Sequence, residues 1–267
     1  MKNNLLGLCF FLIFYLAGSA SAMDNSCLNC HSRLEQGTAA GKAYLNWKDT
    51  VHDKAGVTCD RCHGGSPAEK NSDKAHAGVL NPTDSRSRVR ISNIPALCGE
   101  CHQAQWKEFT FSRHYKALIS SRGKVPGPTC ITCHGSMHTA ILSPDNVADA
   151  CRRCHNQESH LSPDIPVEAH ATLDLIFYAK NTVRWSGEFV SLARKQGYPV
   201  SEASAALKEA EDKFRLSEIK WHSFDFHEIL KLVDESYEAA KKAKRLADQE
   251  VSDGALKKIK EQKTSRP

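Results

Sequence analysis

The chain has 267 residues, with 36 lysines and arginines against 31 aspartates and glutamates, a formal charge of +5 and a sequence pI of about 8.6. No stacking or base-reading motif accompanies the basic side chains, which excludes a nucleic-acid partner as their reason. Eleven cysteines are the compositional feature left to explain.

Residues 1–22 read as an export signal. Lys2 precedes an apolar run from Leu5 to Ala17, and Ala20 and Ala22 in "GSASA" form a small-residue cleavage site before Met23. A retained membrane anchor is the rival reading, but the run is short of the roughly 20 apolar residues that span a bilayer. No cysteine follows the small residues, which argues against a lipoprotein. The mature chain is expected outside the cytoplasm, in the periplasm or beyond.

From residue 27 a five-residue string, Cys-x-x-Cys-His, occurs five times. It stands at Cys27/Cys30/His31, Cys59/Cys62/His63, Cys98/Cys101/His102, Cys130/Cys133/His134 and Cys151/Cys154/His155. Independent draws from this composition would yield on the order of 0.02 such strings. The pattern attaches c-type haem: two cysteines three apart reach the two vinyl groups of the porphyrin, and the following histidine binds iron. Zinc or disulfides explain paired cysteines but not a histidine directly after every second one. Ten cysteines lie in the motifs and Cys9 in the leader, so none is left for a structural disulfide. Five haems are therefore expected, attached outside the cytoplasm, in agreement with the leader.

Haem changes the meaning of the composition. The region from Cys27 to His155 is rich in Gly, Pro, Ser, Asn and charge and by itself would bury little core; porphyrins supply one. "NPTDSRSR" and "SRGKVPGP" read as loops over haem faces, with short helices at the CxxCH turns. Two propionates per haem bring the oxidised protein near neutrality. The first and second motifs are 32 residues apart, as are the third and fourth, and the second of each pair reads "TCxxCHG". This spacing suggests a duplicated two-haem unit, 27–90 and 98–145, followed by a single haem at Cys151.

Thirteen histidines less the five proximal ones leave His52, His76, His114, His138, His160, His170, His222 and His227 for the other face of each iron. Apart from the initiator, the only methionines are Met23 and Met137. Bis-histidine ligation is expected, which implies lower potentials than histidine–methionine ligation. His52, His76, His114 and His138 are the first candidates and His160 a weaker one. For each, the competing reading is a solvated loop histidine.

After Pro166 the pattern becomes helical. Two long helices are predicted, from Val167 to Gln196 and from Glu202 to Gln249. Gly197 and Pro199 break them apart and Ser201 is expected to cap the second. Ile219, His222, Phe226, Ile229, Leu230, Val233 and Tyr237 form one apolar stripe. His222 lies within it, and His227 falls about 140° around the helix. His222 is therefore the candidate for a fifth distal ligand, with His160, His170 and His227 still open. His170 shares a face with Leu173 and Phe177. The expected domains are a signal peptide (1–22), a pentahaem domain (23–165), a helical hairpin (166–250) and a basic tail (251–267). The fold class is mainly α with extensive coil, built around stacked haems and closed by a long C-terminal helical hairpin.

These motifs, with "CHGSMH" at 133–138 and helices after the last haem, resemble the periplasmic multihaem c-type cytochromes. That superfamily includes pentahaem nitrite reductases and hydroxylamine oxidoreductases. The resemblance implies electron transfer between redox protein partners, such as a membrane quinol dehydrogenase and a terminal reductase, and is compatible with an oligomer. It also offers an alternative: a reductase or oxidase of a small nitrogen or sulfur oxyanion with one five-coordinate haem. In typical nitrite reductases of that superfamily the open haem is held by CxxCK, and no CxxCK occurs here. No catalytic residue is assigned.

Overall fold

A computed structural model describes residues 25–120, 127–137 and 143–264. The leader and His138 lie outside them. The described residues are mainly helical, with much coil and no strand.

Short helices come first: α1 (Ser26–His31), α2 (Ala39–Trp47), α3 (Val51–Lys54), α4 (Cys59–His63), α5 (Ser72–Ala75), α6 (Ile94–Gly99), α7 (Gln103–Phe111), α8 (Arg113–Ser120), α9 (Cys130–His134) and α10 (Pro144–Arg152). Most are too short to be stable alone. Polar side chains hold many of their ends: Asn25, Thr38, Thr50, Asn71 and Ser143 each accept a hydrogen bond from a first-turn amide. Buried apolar side chains are few here, chiefly Trp47, Ile94, Phe109, Leu118 and Val147.

The C-terminal part has the larger protein core. Here α11 (Ile165–Lys195), α12 (Ser201–Lys220) and α13 (Phe226–Thr264) pack as a three-helix bundle. Its seam is lined by small residues, with Ala179, Ala210, Ala240 and Ala243 fully buried, so the helix axes can approach closely. Ser236 Oγ donates to the Ala210 carbonyl at 2.8 Å across that seam, which satisfies a buried hydroxyl.

Three details differ from the sequence expectation. The second long helix is not continuous: a 3₁₀ turn at Trp221–Ser223 and a left-handed Phe224 (φ 57°) separate α12 from α13. The apolar stripe therefore straddles a corner. Within it Ile229 and Val233 are buried while Leu230 is exposed. The break has a readable cause: Asp225 accepts from the Glu228 amide at 3.3 Å, and "DFHE" is a helix-start pattern with an acid three residues on. At the other corner Val200, not Ser201, occupies the N-cap of α12, with no side-chain capping bond. Finally, α13 runs past Gln249 to Thr264, so the described part of the basic tail is helical.

Helix contacts at two places, among others, join the regions. α10 packs on α11, and His170 bridges them, its Nε2 3.0 Å from Asp145 and its Nδ1 3.1 Å from Asp174. α7 packs on the 3₁₀ turn, where Lys220 pairs with Glu108 at 3.0 Å.

Candidate functional site

Each Cys-x-x-Cys-His string folds as one helical turn. α1, α4 and α9 contain a whole motif. In the third and fifth, helices α6 and α10 end after the first cysteine, yet the His102 and His155 amides still donate to the Cys98 and Cys151 carbonyls at 2.9 and 2.8 Å. The repeated glycine has its reason here. Gly64 and Gly135 both follow the motif histidine with φ of 78°, a conformation that favours glycine and turns the chain out of the helix. Gly65 has no room either: a Cβ on it would lie 2.6 Å from the Ala75 carbonyl. The coil after His63 is thus seated directly against the segment that carries His76.

The ten described cysteines are free, and successive motifs abut. Cys27 lies close enough to Cys59 to raise its pKa, and Cys98 and Cys101 do the same to Cys62. Cys98 and Cys130 lie close enough to shift each other's pKa, and Cys151 acts on Cys133. The motifs therefore follow one another in space in chain order. Burial pushes the Cys59 and Cys133 thiols up to about 11.

The proximal histidines are matched by other histidines. His31 faces His76, His52 faces His102, and His114 faces His155, each pair with ring centroids 6.1 Å apart; His134 faces His222 at 6.3 Å. An imidazole nitrogen sits about 2.0–2.1 Å from a metal it ligates. Two rings on opposite sides of one ion therefore place their centroids roughly 6.2 Å apart, allowing about 1.1 Å from nitrogen to centroid. All four gaps fit an iron between the rings. With two cysteines on the turn beside one ring of each pair, the donor set suits c-type haem.

Hydrogen bonds set the tautomer at two of these histidines. His76 Nδ1 lies 2.9 Å from the Ser72 carbonyl and His222 Nδ1 3.1 Å from the Ile219 carbonyl. A carbonyl only accepts, so the ring proton sits on Nδ1 and the Nε2 lone pair is left for a metal. Burial, and secondly the facing histidine, hold His31, His52 and His114 below the ordinary histidine range, His114 at about 4. These rings are neutral at physiological pH, the form that ligates. His114 is oriented by packing: the Phe224 ring stands edge-on to it at 4.4 Å. The left-handed turn at Phe224 thus places an aromatic wall on a candidate ligand.

Helix α8, which carries His114, is also wedged from behind. A Cβ on Gly127 would lie 2.5 Å from the His114 carbonyl and 2.6 Å from the Leu118 amide nitrogen. Both are backbone atoms, which cannot swing aside. Gly127→Ala is expected to shift α8 and perturb the low-spin signal of one haem, read by EPR, while leaving the haem count unchanged.

The other candidates are placed differently. His160 is exposed and has φ of 59°, and His227 is exposed on the first turn of α13. Both ring nitrogens of His170 face carboxylates. His63 has no histidine ring facing it among the described residues; burial and then nearby His31 lower its pKa. Of the distal candidates His52, His76, His114, His138, His160 and His222, four face a motif histidine, His160 does not and His138 lies outside the described residues; the sequence does not show which partner each takes. His52 crosses from the first suggested two-haem unit to His102 of the second, and His114 reaches the last motif, so these units are not closed pairs. Among the described residues no helix is long and apolar enough to cross a membrane.

Part of the chain is similar to C-type polyheme cytochrome OmcB from two strains of Geobacter sulfurreducens, DL-1/KN400 and ATCC 51573/PCA. In both the identity is 24% over 216 aligned residues, covering 58% of this chain and 29% of the relative. The chain thus spans less than a third of the length of these curated relatives. No family model and no solved structure matches it. The similarity supports multiple c-type haem binding.

Proposed function

We propose that this chain is an exported multihaem c-type cytochrome that conducts electrons through five covalently held haems, four of them between paired histidines. The observation that carries the reading is the set of four histidine pairs at one iron-compatible separation, each with a proximal member from a CxxCH turn. Haem supplies a one-electron iron couple. The chain contributes thioether anchors, axial nitrogens and burial, which tune the potential. His31 and His76, His52 and His102, His114 and His155, and His134 and His222 are the proposed axial pairs. Cys27/Cys30, Cys59/Cys62, Cys98/Cys101, Cys130/Cys133 and Cys151/Cys154 are the proposed anchors.

Abutting cysteine turns support a conduction path in chain order, from the first motif to the fifth. Cys30 and Cys154, one at each end of that order, are exposed, as is Cys101 of the third motif, so both ends and the middle of the path can meet redox protein partners. The leader, read from sequence, supports export to the periplasm or cell exterior, where haem attachment takes place.

Intact-mass spectrometry of the matured protein is expected to give a chain starting near Met23 plus five haems. A mature mass with four or fewer would overturn the count, and an unprocessed leader would overturn the export reading.

A further inference from the structure

We infer that the haem at Cys59/Cys62/His63 is the open one: its iron is held by His63 alone and binds a small exogenous ligand on the opposite face. The inference rests on the multihaem reading above. It begins from an asymmetry. Four of the five proximal histidines face a second histidine ring at 6.1–6.3 Å. His63 faces none among the described residues, although it is half-buried and on an intact helical turn.

The nearby histidines are committed elsewhere. His31 lies close enough to lower the His63 pKa, but its ring faces His76. The coil after His63 is pressed onto the His76 segment: Gly65 abuts the Ala75 carbonyl, Gly64 the Gly78 carbonyl, and the Ser66 amide donates to Ala75 O at 2.9 Å. His76 is itself turned to its own partner by the Ser72 carbonyl. Of the remaining described histidines, His170 is held by two carboxylates, and neither His160 nor His227 stands against another described histidine ring.

The ligands such a site takes are small lone-pair donors: carbon monoxide or nitric oxide on ferrous iron, and cyanide, nitrite or hydroxylamine on ferric iron. The site lies second in the proposed path, between the first and third motifs, so electrons can reach a bound ligand from either side.

Three measurements on the matured full-length protein decide it. EPR of the oxidised wild type is expected to show one high-spin haem beside four low-spin ones. Carbon monoxide on the reduced protein should bind at one equivalent per five haems. His63→Ala should shift the g-values of the high-spin signal and the carbon monoxide band of that haem, both set by the ligand opposite the open face, while the four low-spin signals persist. His138→Ala tests the remaining histidine, and it should leave the wild-type high-spin signal and the carbon monoxide stoichiometry unchanged.

Five haems by mass with a wild-type spectrum entirely low-spin would overturn the open site while the multihaem reading stands. A new high-spin haem appearing in His138→Ala would then name its sixth ligand. A high-spin signal whose g-values and carbon monoxide band are unchanged in His63→Ala would move the open site to another motif and equally overturn the inference. Fewer than five haems by mass would strike the underlying reading instead. Should His63→Ala fail to mature, the wild-type spin state, the carbon monoxide stoichiometry and His138→Ala still decide between these outcomes.

Discussion

His222→Ala is expected to add one high-spin haem to the wild-type EPR spectrum, whereas His227→Ala leaves the spectrum unchanged. The two residues are five apart in sequence but are separated by the turn at Phe224. His222 is on the 3₁₀ turn, with its Nδ1 tied to Ile219 O and its ring facing His134. Its pKa is held below the ordinary range chiefly by burial. Removing its imidazole leaves a ring-sized void opposite His134. His227 is exposed on the first turn of α13 and has no such role. The change should be visible as loss of one low-spin signal and gain of a second carbon monoxide equivalent. An unaltered spectrum in His222→Ala would remove the His134–His222 pair.

Ile229→Ala is expected to have the largest effect on stability. Ile229 is fully buried in a cluster with Val147, Leu173, Ile176 and Val233, against which Cys151 also packs. Truncation of a buried aliphatic side chain costs about 2–5 kcal/mol. For a chain of this size that corresponds to a fall in Tm of roughly 5–20 °C, measurable by far-UV circular dichroism. Because Ile229 sits in an aliphatic cluster and is not a member of any histidine pair, the spin state at low temperature should remain that of the wild type. Loss of stability without loss of ligation separates this residue from His222, only seven positions away.

The bundle and the histidine pairs thus depend on one another. The corner between α12 and α13 holds His222 against His134 and Phe224 against His114. Ile229 and Val233, just beyond the corner, seat α13 on α11. The anchor sites are local and the axial pairs are not, so the long helices act as a frame for ligands that the coil cannot fix alone.

Sequence by itself determined what is local. A CxxCH turn is complete within five residues, so attachment chemistry, the haem number expected and the short helices around each motif could be read directly. So could the long C-terminal helices, because their apolar periodicity repeats every turn. Even the break at Phe224 has a local signal in Asp225 and Glu228, on a stretch where the apolar stripe runs straight across it. Only the tertiary structure decided which histidine faces which. Partners lie dozens of residues apart, and no periodicity in the chain links His52 to His102 or His134 to His222. Their pairing follows from how coil segments are seated, by close contacts such as Gly65 on Ala75 and Gly127 on α8, and from the corner that α7, α12 and α13 build together. The same long-range packing leaves His63 without a facing histidine among the described residues. A count of surplus histidines could not show this, because ligation depends on where a ring is held and not on how many rings the chain contains.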